Sequence, residues 1–426
     1  MLSIVLGIFF FLLFIGAPIA YTMGITSVIY IIMHPSVSGM VVAQKVYTSL
    51  DSFSLMAIPF FMFAGDIMNE SGITEKLVRF SSALVGHIRG GLPQTVVLTG
   101  TLMAGISGSG NADATAIGGM MLPMLKEEGY EEGFAVSVVA AAAALGPIIP
   151  PSIIMVIYAN VTNLPIGRMF LGGIVPGILI ALFYMIYINH YCKKHGHEAT
   201  KSRASLKEII HTTISAFWAL LMPIIIVGGI LSGVFTATEA GVIASFYGLC
   251  YGIVNKTLKW EVIRKSLTSC MHATAVPVFI IGMATMFSWV LTVENMPKLL
   301  VGYLTSITSN GHMVMILLVL LVTIMGMFID AVPIMYLTVP IFLPIVMQLG
   351  VPEVHFMVLT ITLMMIGQVT PPFGVVLFAM NANFNTKLEV VIKGSIPFLI
   401  VMTVCAIIII FIPQISTFLP SLLLGR

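Results

Sequence analysis

Gly105-Ile106-Ser107-Gly108-Ser109-Gly110-Asn111-Ala112-Asp113-Ala114-Thr115 is the stretch whose reading decides how this chain folds. It lies between two apolar runs, Leu92–Leu102 and Ala116–Leu125. Each run is shorter than the roughly 20 apolar residues of a bilayer-crossing helix. Three glycines and four hydroxyl or amide side chains therefore fall at membrane depth, where unpaired backbone costs several kcal/mol unless it is buried in protein or lines a cavity. A helical hairpin that enters the membrane, turns at this Ser/Gly tip and leaves by the same face satisfies that constraint. Its tip would offer carbonyls, hydroxyls and a helix N-terminus together, as binding a cation and an anion requires. The competing reading, a flexible loop outside the membrane, fits the rest of the chain less well.

Apolar residues are 58% of 426 positions and charged residues 8%, with a mean hydropathy of +1.08. Soluble domains carry about 25% charged residues, so this is an all-α polytopic membrane protein in contact with lipid. A net charge of +2, scattered along the chain, excludes a nucleic-acid partner. The Met-Leu-Ser-Ile-Val start lacks a basic n-region, so the first apolar segment is expected to be retained. Cys192, Cys250, Cys270 and Cys405 have no metal or disulfide spacing.

Outward from the hairpin at 92–125, residues 2–33 read as one bent span or two short ones, broken at Gly16-Ala17-Pro18. A span follows near Ser54–Met68, then an amphipathic interfacial stretch, Thr74–His87. A run from Phe134 to Ala159 is interrupted by Gly146-Pro147-Ile148-Ile149-Pro150-Pro151; prolines cannot donate backbone hydrogen bonds, so a discontinuous helix is expected. The span Met169–Cys192 leads to the basic loop starting Lys193-Lys194-His195, which the positive-inside rule places in the cytoplasm. The second half reads as spans at Ile210–Leu231, Glu239–Val254, His272–Val290 and Val390–Phe418. Between these lie a basic stretch Lys256–Lys265, an amphipathic piece Pro297–Ile307, a hairpin-like segment Met313–Met347 and a run broken at Gly367–Pro372.

Shifted by 221 positions, the sequence overlies itself without a gap from 105 to 176. Gly105 meets Gly326, Pro123 meets Pro344, Gly146 meets Gly367, Pro150-Pro151 meets Pro371-Pro372, and Pro176 meets Pro397. Shared prolines and glycines mark shared backbone breaks. The chain is thus expected to be one membrane domain of two repeats, about 1–205 and 206–426. Five crossings separate the hairpins, so the repeats are inverted: the first hairpin opens from the cytoplasm and the second from outside. Two re-entrant hairpins and two discontinuous helices in opposed halves point to a secondary transporter with a midplane site.

A sodium ion wants five or six mostly neutral oxygens. Ser107, Ser109 and Asn111 at the first tip, with carbonyls of Gly146, Ile149 and Pro150, are candidates; Gly326, Asp330, Gly367, Thr370 and Pro371 are the second set. Asp330 stands at the position of Ser109, and a carboxylate at membrane depth costs about 2.5–3.5 kcal/mol on insertion scales, so it needs a cation, a substrate hydroxyl or a capping role. Asp113 could bind a cation or cap the second arm. Substrate-binding candidates are Ser109, Asn111, Asp113, Ser152 and Asp330. Asp66, Glu70 and Glu239 lie near span ends, where a structural role is favoured. No His-Glu-x-x-His pattern and no P-loop occur, and no nucleophile is paired with a base, so an intramembrane enzyme and self-powered ATP hydrolysis are excluded. A passive channel would also tolerate inverted halves, but two opposed hairpins make two gates.

Gly-x-Ser-Gly-Ser in a hairpin, the Gly-Pro-x-x-Pro-Pro-Ser break, Thr-x-Thr-Glu-Ala, and Gly-Gln-x-Thr-Pro-Pro in the second half resemble the large membrane (M) subunit of tripartite ATP-independent periplasmic (TRAP) transporters along essentially the whole chain. The resemblance implies an elevator-type sodium symporter of the bacterial inner membrane, its transport elements about 92–160 and 312–381 and its scaffold the remainder. It implies two or more Na+ ions, with sites at Ser107, Ser109, Gly146, Ile149 and Pro150 and at Gly326, Asp330, Gly367, Thr370 and Pro371. It also implies a small four-helix Q subunit, expected either as a separate chain or as a segment outside this sequence, and a periplasmic binding protein that delivers an organic anion. The sequence looks most like the sialic-acid transporters, and C4-dicarboxylate and sugar-acid members share every motif quoted. Thr236-Ala237-Thr238 departs from the family, where many members have proline in the middle.

Overall fold

Clusters of glycine and proline part many of the helices, whereas single prolines such as Pro123, Pro176 and Pro223 lie within them. The computed structural model describes residues 1–35, 37–199, 201–307, 311–371 and 374–425; Pro372, part of the expected second break, lies outside them. Among the described residues there are twenty α-helices and no strand. The first half comprises α1 Leu2–Phe14, α2 Ile19–Met33, α3 Met40–Leu50, α4 Ala57–Glu70, α5 Ile73–Val85, α6 Gly91–Ser107, α7 Gly110–Glu127, α8 Glu132–Ala143, α9 Ile153–Thr162 and α10 Ile166–Lys194. The second comprises α11 Leu206–Leu231, α12 Ala237–Val254, α13 Trp260–Val293, α14 Met296–Ile307, α15 Gly311–Phe328, α16 Ala331–Gln348, α17 Glu353–Gln368, α18 Val375–Phe384, α19 Leu388–Phe411 and α20 Gln414–Leu424. Among the described residues six helices are long and apolar enough to cross a membrane, or seven spans if α3 and α4, bent by 54°, count as one.

The repeat is visible in the boundaries. Gly110 and Glu127 bound α7 as Ala331 and Gln348 bound α16, the same 221-residue displacement found in the sequence. Both discontinuous helices are broken, α8 from α9 by residues 144–152 and α17, ending at Gln368, from α18, starting at Val375. Contacts are reciprocal as well: α8 packs on α19 and α17 on α10, while the hairpin helix α7 packs on α18 and α16 on α9. Each half therefore completes the other, and the hairpins and broken helices form one intertwined body.

The inversion can be read along α10. At its C-terminal end, Met185 accepts a hydrogen bond from Gln94 at the base of the first hairpin (2.8 Å), and Tyr191 stacks on Phe134 at the start of α8 (3.8 Å). At its N-terminal end, Gly172 lies against Val354 and Val358, just past the base of the second hairpin. A helix of 29 residues is about 44 Å long, so the two hairpins open from opposite sides.

Several boundaries differ from expectation. The first tip is non-helical only at Gly108-Ser109, because α6 and α7 run on through Ser107 and from Gly110; hydrogen bonds inside each arm satisfy backbone that apolar run length alone leaves exposed. Residues 2–33 form the second of the two expected arrangements, two short helices, α1 and α2, parted at residues 15–18 and packed as a pair. The two ends meet at Glu294, which lies 3.8 Å from the Met1 amino group and accepts from Tyr30 Oη (2.9 Å). Part of the basic stretch joins the following span as the 34-residue α13. The last span divides at Pro413 into α19 and α20. Glu239 closes a capping box with Thr236 at the start of α12, the structural role favoured for it.

Candidate functional site

The first tip is built by close backbone approach. Gly108 ends α6 at φ +60°, and a side chain there would strike the Pro151 carbonyl of the break; only glycine meets both demands. A Cβ on Gly146 would lie 2.9 Å from Asp113 Oδ2 and 3.0 Å from the Gly110 nitrogen. The tip and the break of the first half are thus pressed together, with Asp113 between them.

Asp113 is the fourth residue of α7 and does not cap it. Its side chain is fully buried. Oδ1 accepts from Ser107 Oγ (2.6 Å), which in turn accepts from the Ser109 nitrogen (3.1 Å). Oδ2 is buried with no hydrogen-bond partner. A buried carboxylate oxygen without a donor is costly. Ser107 and Gly146 lie against this carboxylate, and the Ser107 hydroxyl bonds to its other oxygen. That donor set, oxygen only and mostly neutral, fits an alkali cation. Among the described residues no three His, Cys, Asp or Glu side chains converge, as a transition metal would prefer.

The second tip is Ile329-Asp330, without glycine. Asp330 caps α16: Oδ1 accepts from the Ala331 nitrogen (2.8 Å) and from Gln368 Nε2 (2.9 Å). Gly326 lies inside α15, near its end, packed on Gly367 of α17 so that a Cβ on Gly326 would be 3.0 Å from the Gly367 Cα. The Gly367 carbonyl accepts from the Thr370 nitrogen (2.9 Å) and the Thr370 hydroxyl donates to the Ile366 carbonyl (2.5 Å). Pro371 follows in the break.

Both tips face one cavity of about 800 Å³. Ser109, Asn111 and Asp330 line it; Ser107, Asp113, Gly146 and Gly367 lie behind its wall. Ser152 does not line it. Its hydroxyl donates to the Pro147 carbonyl (2.7 Å) and caps α9 by accepting from Met155 N (3.3 Å), so its place among the substrate candidates is corrected to a structural one. Gln368 was not singled out from the sequence, although Gly-Gln-x-Thr-Pro-Pro contains it; a lone amide in an apolar broken helix was the available signal. The opposite wall is formed by α4 and α13. It carries Asp66, Glu70, Lys265 and Ser269, with Glu70 paired to Lys265 at 3.2 Å.

The match to known proteins agrees with this geometry. Residues 6–415 match the family model described as "Tripartite ATP-independent periplasmic transporter, DctM component". The chain is 34% identical over 415 residues to the sialic acid TRAP transporter large permease protein SiaM of Vibrio cholerae, covering 97% of each. It is 35% identical over 401 residues to the C4-dicarboxylate TRAP transporter large permease protein DctM of Pseudomonas aeruginosa, covering 94% of each. Among solved structures, the Alcanivorax borkumensis YdaH transporter superposes with a TM-score of 0.61 at 16% identity, over 87% of this chain and 86% of that one; that likeness concerns the fold alone.

Proposed function

The chain belongs to the DctM-component family of tripartite ATP-independent periplasmic transporters, as a multi-pass inner-membrane permease and not an enzyme, and on that basis we propose that it performs sodium-coupled uptake of an organic anion by elevator-type alternating access. The observation that carries the proposal is the convergence of both tips on one cavity from opposite sides. Residues of about 92–160 and 312–381 are the moving body and the remainder the scaffold. Two or more sodium ions bind, one at Ser107, Ser109, Asp113 and the carbonyls of Gly146, Ile149 and Pro150. Another binds at Gly326, Asp330, Gly367, Thr370 and Pro371. The partnerless Asp113 oxygen supports the first site. Substrate is held in the cavity by Ser109, Asn111, Gln368 and the Asp330 region, its carboxylate balanced by the bound cations.

Each sodium ion entering gains about 2.3 kcal/mol per 100 mV of membrane potential, so two ions drive substantial accumulation. A small Q subunit and a periplasmic binding protein complete the assembly, in keeping with the tripartite family. Sialic acid is the proposed cargo, with C4-dicarboxylates and sugar acids as the alternatives, since identity to SiaM and to DctM is nearly equal. Uptake into proteoliposomes containing Q, with binding protein outside, tests the reading. Accumulation should collapse when sodium is replaced by potassium; undiminished uptake would overturn it, and single-channel currents from the chain alone would favour a channel.

A further inference from the structure

The fixed wall of the cavity changes character along its length. Helices α4 and α13 run antiparallel: Lys265 Nζ is 3.2 Å from Glu70 Oε1, and Cys270 Sγ lies 3.1 Å from the Pro59 carbonyl. Deep in the cavity this wall is apolar, with Ile58, Met62, Val276 and Pro277. Toward the other end it turns polar, at Asp66 and Ser269 within one to two turns of Met62 and Val276, and it ends in Glu70 and Lys265, 12 residues or about 18 Å by helical rise from Ile58 and Pro277. Lys265 is the sole Lys or Arg lining the cavity among the described residues, and its side chain is 77% exposed. An anion at the tips therefore faces apolar surface across the cavity and meets its first fixed positive charge at the mouth, beside the basic Lys256–Lys265 stretch.

We propose that Lys265, with Asn69 beside it on the cavity wall, is a release subsite for the carboxylate of the transported anion, and that Glu70, with Asp66 (bonded to Ser269) on the same wall, is its built-in competitor. When substrate leaves the tips, its carboxylate replaces Glu70 on Lys265; Glu70 then reclaims the ammonium and expels the anion. An exposed pair is weak enough to exchange in this way. The apolar depth of the wall ensures that no second fixed site holds the anion between tip and mouth.

The proposal rests on the transport reading above. Uptake of labelled sialic acid, succinate and a sugar acid by the wild-type complex first identifies a working probe. Inhibition by that probe preloaded inside the vesicles is then measured for Glu70→Gln, Lys265→Gln and Lys265→Arg. Glu70→Gln should be inhibited at about fivefold lower internal concentration and Lys265→Gln at about fivefold higher, the size an exposed pair supports. Lys265→Arg should behave as wild type, and KM from outside should stay unchanged in all three. Shifts of the same sign in both neutral variants, or no shift in either, overturn the release subsite while leaving sodium-driven transport standing. A wild type that moves none of the probes overturns the transport reading, and the subsite falls with it.

Discussion

Ser109 and Asp330 occupy the same place in the two hairpin tips, yet each half carries its tip carboxylate differently. In the first half it sits four residues further on, at Asp113, where the second half has Ile334. Asp113 is buried between tip and break, held by one serine, with one oxygen unpartnered. Asp330 lines the cavity, and one of its oxygens accepts from both a backbone nitrogen and an amide. The glycines follow suit. The first half spends them at the tip and break, at Gly108, Gly110 and Gly146, and the second on a helix crossing, Gly326 on Gly367. One repeated backbone pattern thus carries two arrangements: an enclosed carboxylate with an unpartnered oxygen in one half and a cavity-facing, capping carboxylate in the other.

The largest effect is expected at the cavity. Asp330→Asn keeps a good cap for α16 and removes the charge, so initial uptake should fall by about 30-fold or more, in line with the 2–5 kcal/mol lost when one partner of a buried charge pair is removed. A rate within threefold of wild type would erase the functional distinction between the tips. For the enclosed carboxylate, Asp113→Asn should raise the sodium concentration for half-maximal uptake about tenfold, equivalent to 1.4 kcal/mol. Sodium should raise the unfolding temperature of the wild type by mass action and leave that of the variant unmoved. In sodium-free buffer the variant should be the more stable of the two, because it no longer buries an unpaired charge.

The smallest expected effect contrasts the glycines. A Cβ at Gly367 would fall 2.6 Å from both the Gly326 Cα and the Thr323 carbonyl, so Gly367→Ala should cost about 1–3 kcal/mol through overpacking. At Gly105, the first-half counterpart of Gly326 in that crossing, a Cβ would meet Pro223 Cγ at 3.2 Å, Pro223 Cβ at 3.4 Å and the Pro150 carbonyl at 3.6 Å, chiefly the edge of a ring on another helix, so Gly105→Ala should cost less. Thermal unfolding of the two variants side by side checks this. Equal losses would mean that the halves pack alike.

The breaks, the hairpins, their pairing at one offset and their opposed orientation were legible because each is a local backbone event. Proline removes a donor wherever it stands, and charge bias at loops reports sidedness one segment at a time. Tip depth was misjudged, since apolar runs end where side chains become polar, whereas helices end where hydrogen bonds run out. Ser152 looked like a ligand and proved to be a cap, for the same reason that its hydroxyl finds Pro147 five residues away.

Composition and periodicity by themselves determined that this chain is a helical membrane protein made of two inverted halves, each with an interrupted element that must shelter polar backbone. Tertiary structure alone decided which of those polar groups share a space. The burial of Asp113 against Gly146, the pairing of Gln368 with Asp330, and the wall carrying Lys265 and Glu70 join residues 33 to 195 positions apart. No local pattern encodes such meetings, because they depend on how helices cross and not on how any one of them forms.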